Sequence, residues 1–321
     1  MSNLERDPGE ITLATGDTDC VEILAPREVP LGGPRAMTVR RTLPQRERSL
    51  VGGWCFLDHY GPDHVARTGG MRVPPHPHTG LQTVSWLFTG EVEHRDSAGH
   101  HANVRPGEMN LMTAGRGISH SEVSTEGTDI LHGAQLWVAL PGADRDTDPA
   151  FDHYVPPVVE GDGWRARVFL GSLLGHTSPV RAFTELVGAE LLLDSGAEVV
   201  VPVDAEHEHA VLVDEGGVRL AGRQVARHEL GYLGTGASSL TLQSAEGARV
   251  LLLGGRPLGE QIVMWWNFVG RSHEEVVDYR SQWQQLLDHD DGTGRFTLPE
   301  ADPLPPIPAP GLPNARLRSR G

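Results

Sequence analysis

Two stretches decide the reading of this chain: Gly70-Met71-Arg72-Val73-Pro74-Pro75-His76-Pro77-His78-Thr79-Gly80 and Thr113-Ala114-Gly115-Arg116-Gly117-Ile118-Ser119-His120-Ser121-Glu122. Each holds two residues able to ligate a metal, spaced i, i+2. On an extended strand such residues point to one face. His76 and His78 therefore face one point, and His120 and Glu122 another. If both strands line one barrel, the two points coincide and set three imidazoles and one carboxylate around a cation. That donor set suits a borderline divalent transition metal such as iron(II), and four protein ligands leave an octahedral ion two open positions. A closed structural zinc site more often uses thiolates, and neither Cys20 nor Cys55 is placed for that role.

The flanking sequence reads as short strands. Ala36–Arg41, Trp54–Tyr60 closed by the turn pair Gly61-Pro62, Gln82–Phe88, Glu91–Asp96, Met109–Met112 and Ala134–Leu140 are rich in β-formers and separated by turns. No long helical pattern falls between them, which indicates an antiparallel sandwich or barrel. Residues 141–165 read as loop. A second series follows, from Arg165–Leu170 through Glu190–Leu193, Val199–Val203, Ala210–Val213, Val218–Leu220 and Leu240–Gln243 to Val250–Leu253, with glycine turns that include Gly231. Its rhythm echoes the first, so the expected fold is all-β, two barrels in tandem. Ser272 and Glu275 form a capping box ahead of a stripe of Val276, Tyr279, Trp283, Leu286 and Leu287, which predicts a C-terminal helix over 272–289. The expected organisation is a flexible N-terminal segment (1–30), a metal-binding barrel (31–145), a second barrel without metal (146–260), a segment and helix packing on the barrels (261–290), and an irregular or disordered Pro-rich tail (291–321).

Composition narrows the function. The 321 residues carry a formal net charge of −16, with 27 cations, all arginine. No basic stripe is available for phosphates, which excludes direct contact with nucleic acid or an anionic membrane. Two cysteines without C-x-x-C spacing suit a reducing compartment. No stretch is apolar enough to cross a bilayer, and the acidic N-terminus lacks a signal-peptide pattern, so a cytoplasmic location is expected.

The motifs carry a resemblance. Gly70 followed after five residues by His76-x-His78 is similar to the first motif of the cupin superfamily, with Gln82 where that pattern expects Glu, and Gly90 after it. Gly115-x-Gly117-x-x-His120 resembles the second cupin motif, with glycine in place of proline. Within the cupins the chain most resembles the pirin family. The resemblance lies in His76-Pro77-His78-x-Gly80, Glu93-His94-x-Asp96-Ser97, Pro106-Gly107, Met112-Thr113-Ala114-Gly115-x-Gly117-Ile118-x-His120-x-Glu122, Gln135-Leu136-Trp137-Val138 and Gly254-Gly255-x-Pro257-Leu258. It extends over about residues 35 to 285. It implies two cupin (jelly-roll) barrels with iron, or another divalent transition metal, in the first, held by His76, His78, His120 and Glu122. It also implies that the carboxylate comes from the second motif, so that Gln82 does not empty the site.

Two functions follow from the resemblance. One is a quercetin 2,3-dioxygenase, with a small aromatic flavonol and O2 as substrates and Glu122 as general base. The other is an iron-bearing, redox-responsive regulator that binds a protein partner without catalysis. The four ligands serve both. His94 and Asp96 share a strand face and are expected to be structural, His100 and His101 to be solvent-exposed, Cys55 to be a buried thiol, and Trp265-Trp266 to pack rather than form a lid. His207 and His209 form another H-x-H, with no His-x-Glu counterpart near Gly231-Tyr232-Leu233-Gly234, so only the first barrel is expected to hold metal.

Overall fold

The computed structural model describes residues 21–31, 37–46, 48–289 and 294–321; the expectation for residues 1–20 lies outside them. In chain order the first strands are β1 (Glu22–Leu24), β2 (Arg27–Leu31), β3 (Met37–Leu43) and β4 (Trp54–His64), then a short α1 (Val65–Thr68). β5 (Arg72–His78), β6 (Leu81–Thr89), β7 (Val92–Asp96), β8 (His101–Val104), β9 (Met109–Thr113), β10 (Ile118–Ser124), β11 (Ile130–Ala139) and β12 (Ala150–Tyr154) follow. The second half opens with β13 (Val159–Gly161), β14 (Trp164–Leu170), β15 (Ser172–Leu173), β16 (His176–Thr177), β17 (Leu186–Leu193) and β18 (Glu198–Pro202). It continues with β19 (Glu208–Gly216), β20 (Val218–Leu220), β21 (Arg223–Val225), β22 (Leu230–Leu233), β23 (Ser239–Gln243) and β24 (Ala248–Gly255). The hairpin β25 (Val263–Trp265) and β26 (Phe268–Gly270) leads into α2 (His273–Asp288).

These strands make two cupin barrels. In the first, the sheet β12-β9-β6-β11-β4-β3-β2 faces the smaller sheet β5-β10-β7-β8; in the second, β1-β22-β19-β24-β17-β14-β13 faces β18-β23-β20-β21. The large sheets lie back to back. Val84, Trp86 and Leu136 of the first share one buried cluster with Phe169, Leu212 and Leu253 of the second. That explains why β6 is buried at every position but its last, although the sequence alternates: one face lines its own barrel, the other meets the neighbour.

Several expectations change. Residues 22–24 and 27–31, assigned to a flexible segment, are strands, and β1 pairs with β22 of the second barrel. Gly61-Pro62 is not a turn: β4 runs on to His64, and the pairing with β11 shifts by one residue across that pair. Glycine at φ +83° and a proline without an N–H make a bulge there. The loop expected over 141–165 contains β12 and β13, and Gly231, read as a turn, lies inside β22.

Helix α2 begins as predicted: the Ser272 hydroxyl accepts from Glu275 N at 3.2 Å. The Glu275 carboxylate accepts from Arg271 N at 2.7 Å and pairs with Arg145, so only one half of the capping box is used. Val276, Tyr279, Trp283 and Leu286 are buried in a cluster with Trp265, Trp266 and Phe268, so the tryptophan pair packs. From residue 294 on, the tail is irregular, as expected, yet held by packing. Phe296, Ala309 and Leu317 join the same cluster, and Ile307 bridges Trp283 to the first barrel: its carbonyl accepts from Trp283 Nε1 at 2.8 Å and its N–H donates to Pro75 O at 2.9 Å.

Candidate metal centre

The small sheet of the first barrel sets the centre. β10 lies between β5 and β7, with His120 opposite His76 on one side and Asp96 on the other. Between the His120–His76 and Glu122–Val73 pairs β5 carries one extra residue, at Pro74-Pro75. This bulge costs no ladder donor, because prolines have none, and it re-aims the following histidines. Gly80 then turns the chain at φ +67°, where a Cβ would come within 2.3 Å of Val269 O; only glycine fits.

The ligand-capable nitrogens of His76, His78 and His120 lie within 4.8 Å of one another, and all three side chains are buried. The Nδ1 of His76 donates to Pro74 O at 2.9 Å and that of His78 to Asn267 O at 3.1 Å. These bonds fix the tautomers and leave each Nε2 as a lone pair facing inward. Nε2 of His76, His78 and His120 are all buried without a hydrogen-bond partner among the described residues. Burial pushes the His76 imidazole down to about 3, and those of His78 and His120 well below the usual range. Three neutral, buried, unpartnered imidazole nitrogens converging on one point are what a divalent ion needs and what a packed core avoids.

Glu122 belongs to a second group, with His94 and His120, again within 4.8 Å. His120 joins the two groups. Glu122 Oε1 accepts from the Ser85 hydroxyl at 3.2 Å, and Ser85 also lies 2.8 Å from Gln135 Oε1. The expectation that His94 and Asp96 are merely structural needs correcting. His120 Nδ1 and His94 Nδ1 are 3.3 Å apart, and His94 Nε2 is 3.2 Å from Asp96 Oδ2. His94 thus links His120 to a carboxylate that also accepts from the backbone of Ala98 and His100. The signal was in the sequence: His94-x-Asp96 has the same i, i+2 spacing as the ligands, and β7 is the neighbour of β10.

One wall is aromatic. Trp137 stacks on Phe56 at 3.9 Å between centroids and meets His78 edge-on at 5.0 Å. Tyr60 is buried, and burial, with the Glu122 charge adding to it, pushes its phenol well above its ordinary range. Gln82 is buried in this barrel, its Nε2 donating to Thr113 Oγ1 at 2.9 Å.

Two family models match this chain, Pirin over residues 36–138 and the Pirin C-terminal cupin domain over 188–287. The chain belongs to the pirin family. A Pseudomonas aeruginosa protein provisionally named a quercetin 2,3-dioxygenase is 43% identical over 288 residues, 89% of each chain. The crystal structure of quercetin 2,3-dioxygenase from Acinetobacter baumannii superposes with a TM-score of 0.86 at 37% identity, covering 93% of this chain and 97% of that one. The bacterial pirin YhhW from Escherichia coli, solved in complex with nickel(II), shares the fold at a TM-score of 0.59 and 18% identity, over 74% of this chain and 100% of its own.

The remaining histidines of this pirin fall into place around the two barrels. His101 is 53% exposed beside Glu93, as expected, whereas His100, at 39%, hydrogen-bonds Asp96. Cys55 is buried and its thiol pushed up to about 12, in line with an inert core residue. His59, His132 and Asp214, which the sequence did not single out, meet where the barrels join. His59 Nε2 and His132 Nε2 each lie 2.6 Å from Asp214 Oδ1, and Arg249 Nε lies 2.5 Å from Oδ2. Burial alone would raise the Asp214 carboxyl, but hydrogen bonds from His132 and His59 hold it far below the usual range. With Arg227 donating to the Asp214 carbonyl as well, the positive surroundings disfavour a cation. The cluster is a clasp between barrels.

Among the described residues, no helix is long and apolar enough to cross a membrane.

Proposed function

We propose that this pirin is a metal-dependent dioxygenase that cleaves flavonols of the quercetin type, with one iron(II) held by His76, His78, His120 and Glu122. The observation that carries the reading is the set of three buried Nε2 atoms without partners, with a buried carboxylate beside the third. The quercetin 2,3-dioxygenase of similar sequence and shape supports the substrate class.

A bound ion would supply Lewis acidity and one-electron chemistry for a hydroxyl-bearing aromatic and O2. The chain supplies the rest. Burial keeps the His76 and His78 rings neutral, and the two backbone carbonyls on their Nδ1 atoms fix their tautomer and orientation. His94, backed by Asp96, orients His120. Glu122 takes the proton of the substrate's 3-hydroxyl at a carboxylate oxygen, and the Ser85 hydroxyl holds that carboxylate in place. Trp137 on Phe56 offers a flat apolar wall that excludes water from the site.

The test is oxygen uptake with quercetin present, compared between iron-loaded and chelated protein. Uptake should require both iron and flavonol. Iron-loaded protein that consumes no oxygen with any flavonol would instead support the redox-responsive regulator that binds a protein partner.

A further inference from the structure

The second barrel has its own pocket, about 470 Å³ and open to solvent at its rim, with His209 and Thr184 among its polar lining and Val180, Ala182, Leu186 and Val187 among its apolar lining. His209 is only 1% exposed, yet neither Nδ1 nor Nε2 has a hydrogen-bond partner among the described residues. The Thr184 hydroxyl oxygen is likewise buried and unpartnered. A neutral imidazole carries one donor and one acceptor, and burying both unmet is costly unless something else meets them.

The chemistry around His209 restricts what that is. A metal ion is disfavoured: in the ladders His209 lies opposite Leu233 and Gly254, neither of which offers a ligand, and the His207 ring centroid is 6.1 Å away. An anion is disfavoured too, because burial pushes the His209 imidazole down to about 4 and leaves it uncharged near neutral pH. At the mouth, one arginine, Arg256, pairs with both Glu185 and Glu206, and Asp204 adds a further carboxylate, so the acidic rim also repels an anion. A hydroxyl, which donates and accepts at once, matches a neutral imidazole, and the aliphatic lining matches an apolar body.

We propose that the second barrel binds a small, uncharged, hydroxyl-bearing apolar molecule, with its hydroxyl on His209 and its body against Leu186, Val187 and Val180. The barrel that lacks a metal site is then a binding site of a different kind.

Isothermal titration of the full-length, iron-loaded protein with phenol tests this, with cyclohexanol to distinguish an aromatic from an aliphatic body and anisole as the control lacking the hydroxyl donor. Phenol should bind saturably at one site per chain. Binding should persist in His120→Ala, weaken about tenfold or more in His209→Leu and with anisole, and disappear in Ala182→Phe, which fills the cavity. If His209→Leu does not fold, Ala182→Phe decides, because its position is only partly buried. Phenol binding that is absent in the parent, lost in His120→Ala, or unchanged in Ala182→Phe would overturn the proposal.

Discussion

The two barrels share a framework and differ in what faces inward. Each has an H-x-H at one end of a strand, the end of β5 in the first and the start of β19 in the second. In the first, both histidines lie within β5, so the i, i+2 geometry holds, and the adjacent β10 places His120 directly opposite His76. The three rings approach to between 4.4 and 5.0 Å. In the second, His207 precedes β19, only His209 is on the strand, and its neighbours across the ladders are Leu233 and Gly254. The remaining interior is aliphatic, built from residues such as Val168, Leu191, Val211 and Leu252. A metal site needs more than spacing within one strand; the next strand must bring donors to the same height.

That contrast can be broken experimentally. The largest effect should follow His120→Ala, which removes the residue common to both donor groups. Bound metal should fall from one ion per chain to near zero, and oxygen uptake with it, while His207→Ala should leave metal content unchanged; elemental analysis decides. Next in size is the clasp. Asp214→Asn leaves His59, His132 and Arg249 facing an uncharged side chain where the carboxylate stood, and should lower the unfolding free energy by about 3 kcal/mol. Metal content should not change, because the clasp lies outside the centre. Denaturant titration with parallel metal analysis measures both.

Acid should weaken the fold through the histidines outside the centre. The folded-state values of His209 and His228 are pushed down to about 4 by burial. The unfolded chain therefore takes up protons at these positions below about pH 6.5 while the folded chain does not. Their contribution is complete above about 6.5 and declines as pH falls towards 4. Thermal melts across that window should show a falling Tm; a flat profile would mean that these rings are not buried in the neutral form. A smaller effect is expected of Ser85→Ala, which removes one hydrogen bond to the Glu122 carboxylate: roughly tenfold in turnover, with iron largely retained.

Much of the first barrel was legible because strand geometry is local. Runs of β-formers and turn glycines placed β6, β7, β9 and β11, and i, i+2 spacing on an assumed strand put the ligand pairs on shared faces. What the sequence concealed depends on contacts distant along the chain. His94 gains its role only because β7 lies beside β10. Asp214 meets His59 and His132 only because two large sheets pack back to back, 155 and 82 residues away in sequence. The tail carries no periodic pattern, yet Phe296 and Ile307 anchor it to α2 and to Pro75 of β5. Short strands such as β12 and β13 have too few residues for alternation to show.

If Glu122 both holds the ion and takes the substrate's proton, Glu122→Gln separates the two roles. Glutamine keeps an oxygen donor but loses the charge and most of the basicity. The measurement is quercetin turnover per bound iron, with iron determined on the same sample. The variant should keep part of its iron, with turnover per iron well below the parent's. An equal ratio would rule out proton transfer to Glu122 and leave it a ligand only.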